Sequence, residues 1–154
     1  MPQGYGLSAP GVTFKPLPFA WVEERMAASR NYWVATTRHD GRPHVIPVWG
    51  LWLDGAFFFS TDPDSLKGRN IARDPRVVVH LESGDEVVVM EGDLVREHDA
   101  GALSRFSEAY DAKYRVRPDV SDPDAGPVYR LKHHTALAWL EKDFPSTATR
   151  WQFA

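Results

Sequence analysis

The stretch YWVATTRHDGRPHVIPVWGLWLDGAFFFS, residues 32–60, reads as three β runs broken by two Asp-Gly pairs, Asp40-Gly41 and Asp54-Gly55. Asp-Gly between apolar, β-branched and aromatic runs favours a tight hairpin, because the turn residues need positive φ and glycine supplies it without strain. Strands joined by such short turns must be antiparallel. The expected pattern is a meander: a strand over 32–38, a long strand beginning at Pro43, and a third after Gly55. On the long strand, alternation places His44, Ile46, Val48 and Gly50 on one face and Val45, Pro47, Trp49 and Leu51 on the other. Pro47 has no N–H for a ladder, so this strand is expected at a sheet edge or with a bulge. Trp49 and Trp52 beside Gly50 leave room for a flat aromatic ligand, or serve as barrel core or dimer interface.

The same pattern continues along the chain. RVVVHLES (76–83) and EVVVMEGDLVRE (86–97) flank Gly84-Asp85, another hairpin signal, while VYRLKHHTALAWLEK (128–142) and TATRWQF (147–153) read as the last strands. Two segments carry helical spacing instead. Phe19, Val22 and Met26 recur after Pro18, and Leu103, Phe106, Tyr110 and Tyr114 recur after Asp99, a natural N-cap. Residues 116–127 are thick with Pro and Asp and read as a loop. The expected architecture is mainly β or α+β: an antiparallel sheet of six or seven strands, closed into a small barrel to remove its edges, with a few helices outside. Residues 1–15, rich in Gly and Pro, are expected as an arm, and 16–154 as a single domain.

Length and charge narrow the function. A chain of 154 residues is one ordinary domain and can bury a substantial core. A net charge of −3 without a basic arm gives no electrostatic footprint for nucleic acid, which is not an expected partner. The absence of cysteine excludes disulfides, thiolate metal sites and cysteine nucleophiles. The first residues lack the charged and apolar regions of a signal peptide, and no apolar run approaches the roughly 20 residues that span a bilayer. No membrane association is expected, and the expected location is cytoplasmic.

The six histidines are scattered. His133 and His134 are adjacent on an expected strand and point to opposite faces; His39 falls in a turn; His44, His80 and His98 are expected on separate strands. No ligand spacing emerges, and no bound metal is expected. Neither a nucleophile elbow nor a P-loop is present. The segment STDPDSLKGRNIARDPRV (60–77) is more informative. Asp62 or Asp64 is expected to cap a short helix whose first turn carries Ser65 and Lys67, with Asn70 one turn later. Free N–H groups at such a helix start, with the Lys67 ammonium, make a seat for phosphate, and Ser60 and Thr61 add hydroxyl donors. The same residues also suit a solvated connector helix.

Taken together, residues 32–97 resemble the split β-barrel proteins related to pyridoxamine 5′-phosphate oxidase, the flavin/deazaflavin oxidoreductase superfamily. The series strand, ST, K..N, DPRV carries the likeness, and FPSTATRWQF (144–153) adds to it. The resemblance implies a homodimer with FMN or the deazaflavin F420 in a groove at the subunit interface. It implies that Lys67 and Asn70 hold the cofactor phosphate, with Ser60, Thr61 and Ser65 beside them. Pro47, Val48 and Trp49 match the strand whose backbone lies against the ring, and Arg150 and Trp151 match the C-terminal segment that reaches the cofactor, from the partner subunit. The fuller set of phosphate- and substrate-binding arginines and histidines of a true pyridoxamine phosphate oxidase is not matched, so vitamin B6 oxidation is not the expected activity. Hydride or electron transfer to a small conjugated organic substrate is expected, the protein supplying binding and orientation. Arg69, Arg73 and Arg76 lean the choice slightly toward F420 with its acidic tail. No catalytic side chain is implied, though His44 or Tyr32 could supply a proton if either faces the groove. The alternative on the same barrel is a non-catalytic flavin, haem or tetrapyrrole binding protein.

Overall fold

The computed structural model describes residues 13–154, so the arm expected over 1–15 falls largely outside the described residues. The elements run α1 (Phe19–Ala28), β1 (Tyr32–Thr37), β2 (Pro43–Val48), β3 (Leu51–Leu53), β4 (Ala56–Ser60), α2 (Leu66–Arg73), β5 (Arg76–His80), β6 (Glu86–Arg96), α3 (Ala100–Tyr114), β7 (Val128–Leu140), α4 (Phe144–Thr147) and β8 (Thr149–Gln152). All eight strands form one antiparallel sheet in the order β2-β1-β5-β6-β7-β4-β3, with β8 paired to β7. This exceeds the six or seven strands expected because the long second strand is two.

The expected hairpins form, with Gly41, Asp54 and Gly55 at positive φ. The expected three-strand meander does not. The chain leaves β2 at Val48 and re-enters as β3 at Leu51, and these two strands occupy opposite ends of the sheet order. Two ends only two residues apart in the chain oblige the sheet to curl into a barrel. The crossing at Trp49-Gly50 stays out of the ladders because its polar groups bond elsewhere. Gly50 N–H donates to Tyr114 Oη at 3.0 Å, and Tyr114 Oη lies 2.8 Å from Gly50 O. β2 is therefore an edge strand, which suits Pro47.

Two apolar clusters hold the fold. The barrel interior contains Tyr32, Val34, Phe57, Phe59, Val79, Met90, Leu131 and Ala136, plugged at one end by Val22 and Met26 of α1. On the far side of β3 and β4, Leu51, Ala56 and Phe58 meet Leu103, Phe106 and Tyr114 of α3. Thus β4 is covered on both faces, which is why AFFF carries no polar alternation. The Asp99 carboxylate caps α3 through the Ala102 N–H, as its position implies.

Candidate functional site

β2 and β4 do not pair with one another, β2 lying against β1 and β4 between β3 and β7, and the split falls between them. The β3–β4 ladder ends with Leu51 opposite Phe58, leaving Trp49 and Gly50 outside it. Beyond that point β2 turns away to pair with β1, and the chain after β4 turns into α2. Helix α2 is tied to β1 through the Asn70–Thr36 bond and β1 pairs with β2, so the residues expected as a phosphate seat and the strand expected against the ring lie on neighbouring elements.

Helix α2 is capped by Ser65, not by Asp62 or Asp64 as expected. Ser65 Oγ accepts from the Gly68 N–H at 3.0 Å and donates to the Asp62 carbonyl at 2.7 Å. The Asp62 side chain is occupied with the Asp64 N–H, 2.8 Å away, so its carboxylate turns the loop and leaves the helix start to serine. Ser60 Oγ donates to the Pro127 carbonyl at 3.0 Å. The hydroxyl protons of Ser60 and Ser65 are therefore spent within the fold. Thr61, 8% exposed, shares its hydroxyl with Ser65 at 3.4 Å. What remains for an anion is the Lys67 ammonium with the N–H groups of Leu66 and Lys67, since the Gly68 and Arg69 N–H groups are taken by Ser65 and the Thr61 hydroxyl turns to Ser65.

Lys67 is half-buried, and this burial lowers its pKa, while nearby Asp62 acts in the opposite direction. No carboxylate of the described residues lies within 4.0 Å of the ammonium to form an ion pair. Asn70 follows one turn on along the same helix face. It is 1% exposed, and its Nδ2 donates to Thr36 Oγ1 at 3.0 Å, tying α2 to β1. Arg73 anchors the other end of α2 by donating to the Thr37 carbonyl. Arg69 donates to the Asp64 carbonyl, and Arg76 pairs with Asp74 at 2.7 Å.

On the other flank, Pro47 is exposed, Val48 half-buried and Trp49 38% exposed. Trp49 is not free: its ring stacks on Tyr114, centroids 4.6 Å apart and 6° from parallel, with the Arg30 guanidinium 5.2 Å from its centroid. Arg150 and Trp151 part company on β8. Arg150 is exposed on the outer face of the sheet, in one cross-strand row with Leu137, Val89, His80, Trp33 and Pro47. Trp151 points inward and meets Phe19 edge-on at 5.5 Å. Of the two possible proton donors, Tyr32 is fully buried, its hydroxyl donating to the Met26 carbonyl, so it does not face the groove. His44 stands beside Thr36 on the α2 side of β2. His98 is not on a strand but in the link between β6 and α3. Among the described residues no three histidine or acidic side chains gather as a metal site.

A group the sequence did not single out is Lys113, at the end of α3. Its ammonium donates to Tyr32 Oη at 2.8 Å and to Gly50 O at 3.0 Å. Desolvation by burial, with Arg30 nearby, lowers its pKa to about 8. The unfolded chain binds this proton up to about pH 10.4, so between about pH 8 and 10 the unfolded state holds more protons. Lys113 therefore contributes more stability as pH rises through that window, the penalty of its buried charge being removed. In urea denaturation, the stability of wild type relative to Lys113→Met is expected to increase from pH 7.5 to pH 10; a constant difference would contradict the lowered pKa.

The chain is matched over residues 21–140 by the family model of pyridoxamine 5′-phosphate oxidase. No curated protein matches. Among solved structures, it is similar to a conserved hypothetical protein of Mycobacterium tuberculosis, 25% identical with a TM-score of 0.69, over 84% of this chain and 88% of that one. A haem binding protein of Mycobacterium smegmatis is 20% identical, TM-score 0.68, over 88% of this chain and 59% of that one. An F420 reductase is 20% identical, TM-score 0.57, over 74% of this chain and 94% of that one. No helix among the described residues is long and apolar enough to cross a membrane. With the curled antiparallel sheet and the family model spanning most of its length, the chain belongs to the pyridoxamine 5′-phosphate oxidase family.

Proposed function

We propose that this protein is a homodimeric oxidoreductase that holds F420 or FMN along the split between β2 and α2 and reduces a small conjugated organic substrate. The observation that carries the reading is Lys67: a half-buried ammonium without an ion-pair partner among the described residues, at the start of a helix whose first N–H groups have no partner within it. That donor set suits a phosphate. When bound, the ring supplies the hydride or electron transfer. The chain's own residues anchor the phosphate through Lys67 and set Trp49 and the Pro47–Val48 edge along the ring.

The homodimer is supported by the outer sheet face, where Pro47 and Val45 are exposed and Trp33, Val78, Val89 and Leu137 half-buried in adjoining rows. Such a face is a candidate for pairing with its copy, which would carry Arg150 of each subunit toward the other's groove. The similarity to an F420 reductase and to a haem binding protein motivates the choice of ligands to test. Absorbance and fluorescence titrations of the purified protein with F420, FMN and haem are expected to show saturable, stoichiometric binding of F420 or FMN. Indifference to both would overturn the reading, and tight haem binding alone would select the binding-protein alternative.

A further inference from the structure

Three side chains run in a line from α2 to β1, and a fourth, His44 of β2, faces the last of them. Arg73 Nη2 lies 3.5 Å from Asn70 Oδ1, a long contact, and Asn70 Nδ2 donates to Thr36 Oγ1 at 3.0 Å. Thr36 stands directly opposite His44 in the β1–β2 register, on the same face. His44 Nδ1 is buried without a partner, while the rest of its ring is only partly covered. Cross-strand neighbours sit about 5 Å apart at Cβ, within reach of a hydroxyl-to-imidazole bond after a small rotation.

The direction of the line is fixed by its first member. Arginine only donates, so Asn70 turns its oxygen to Arg73 and its NH2 to Thr36. Thr36 Oγ1, accepting from Asn70, has its one proton left to give. The buried acceptor opposite it is His44 Nδ1, and a buried nitrogen of this kind calls for a partner. We infer that Arg73, Asn70 and Thr36 form a one-way donor relay that holds His44 in the tautomer protonated at Nε2, making it a hydrogen-bond donor to a carbonyl oxygen of the ligand in the split. His44 is then the residue that touches the ligand, and Thr36 and Asn70 are positioning residues. The ligand part rests on the cofactor reading above; the tautomer part does not. Asn70 thereby has a role that explains its burial, which phosphate binding does not.

Long-range proton–nitrogen correlation spectra of the imidazoles, with His44 assigned by its loss in His44→Phe, read the tautomer in the ligand-free protein. The expected result is Nε2–H in wild type, a shift toward Nδ1–H or a mixture in Thr36→Val, and restoration in Thr36→Ser. Nδ1–H in wild type overturns the relay without any variant, and so does an unchanged tautomer in a folded Thr36→Val. Adding FMN or F420 is expected to move the His44 Nε2 resonance, and His44→Phe is expected to bind about fivefold more weakly with an unchanged melting temperature. A resonance that stays put while ligand binds overturns the donor role. If neither cofactor binds wild type, the cofactor reading and the ligand part fail together, and the tautomer still decides the relay.

Discussion

Lys67→Ala is expected to weaken binding of FMN or F420 by roughly 10- to 100-fold while leaving the melting temperature within a degree or two of wild type. A charge-assisted hydrogen bond to phosphate is worth about 1.5–3 kcal/mol, which sets that range. The small effect on folding follows from the side chain's situation. Its ammonium is partly desolvated and forms no ion pair with the described residues, so alanine removes a burial penalty along with the stem's contacts. Parallel fluorescence titration and thermal melts separate the two quantities. A variant that loses stability and keeps its affinity would remove Lys67 from the site. Asn70→Ala is the informative contrast, because its side chain is buried against Thr36 and its loss is expected to appear in stability first.

Gly50→Ala is expected to cost about 3 kcal/mol of stability, near the upper end for overpacking. A Cβ there would collide with the edge of the Phe57 ring and lie 2.8 Å from the Phe58 carbonyl oxygen. Neither neighbour yields readily. Phe57 is fully buried and packs on Tyr32 at 4.7 Å and on Phe59 at 5.7 Å. The Phe58 carbonyl belongs to a strand covered on both faces. For a chain of this size the loss corresponds to a fall of about 10 °C in melting temperature. Urea denaturation measures it; a loss below about 1 kcal/mol would show that the crossing repacks. Because Trp49 is the next residue and leans on Tyr114, which holds Gly50 from the other side, the groove is expected to loosen as well.

The hairpins were legible because their signal is local: Asp-Gly at positive φ needs nothing beyond its neighbours in the chain. The stripe of α3 was legible for the same reason, as was the edge position of Pro47. The crossing at Trp49-Gly50 was not, because residues 45–53 contain no polar residue and no turn pair to mark a break, and the crossing is held by Tyr114, 64 residues away. At the site, the position of Lys67 at the start of α2 could be read, since STDPDSLK announces a helix start. The cap was read as Asp62 or Asp64, however, and loop geometry, which occupies Asp62 with the Asp64 N–H, gives that role to Ser65. Which way Asn70 faces depends on β1, and the part played by Lys113 depends on two residues distant in sequence, so neither has a local signature.

The two-residue crossing also bears on the order in which the molecule assembles. β1–β2 and β3–β4 are neighbouring hairpins that local turns can nucleate, each within microseconds. They become opposite rims of one barrel only when β4 finds β7, about seventy residues further along the chain, pairing Phe58 with Arg130. Loop closure over such a span must be met before its contacts repay it, which makes this pairing a late event and places the chain among slower folders. The opening between β2 and α2 is therefore not carved into a finished barrel. Its two lips are hairpins tethered at Trp49-Gly50 in the chain yet joined through the ladder by the strand pairing of longest reach, β4 with β7.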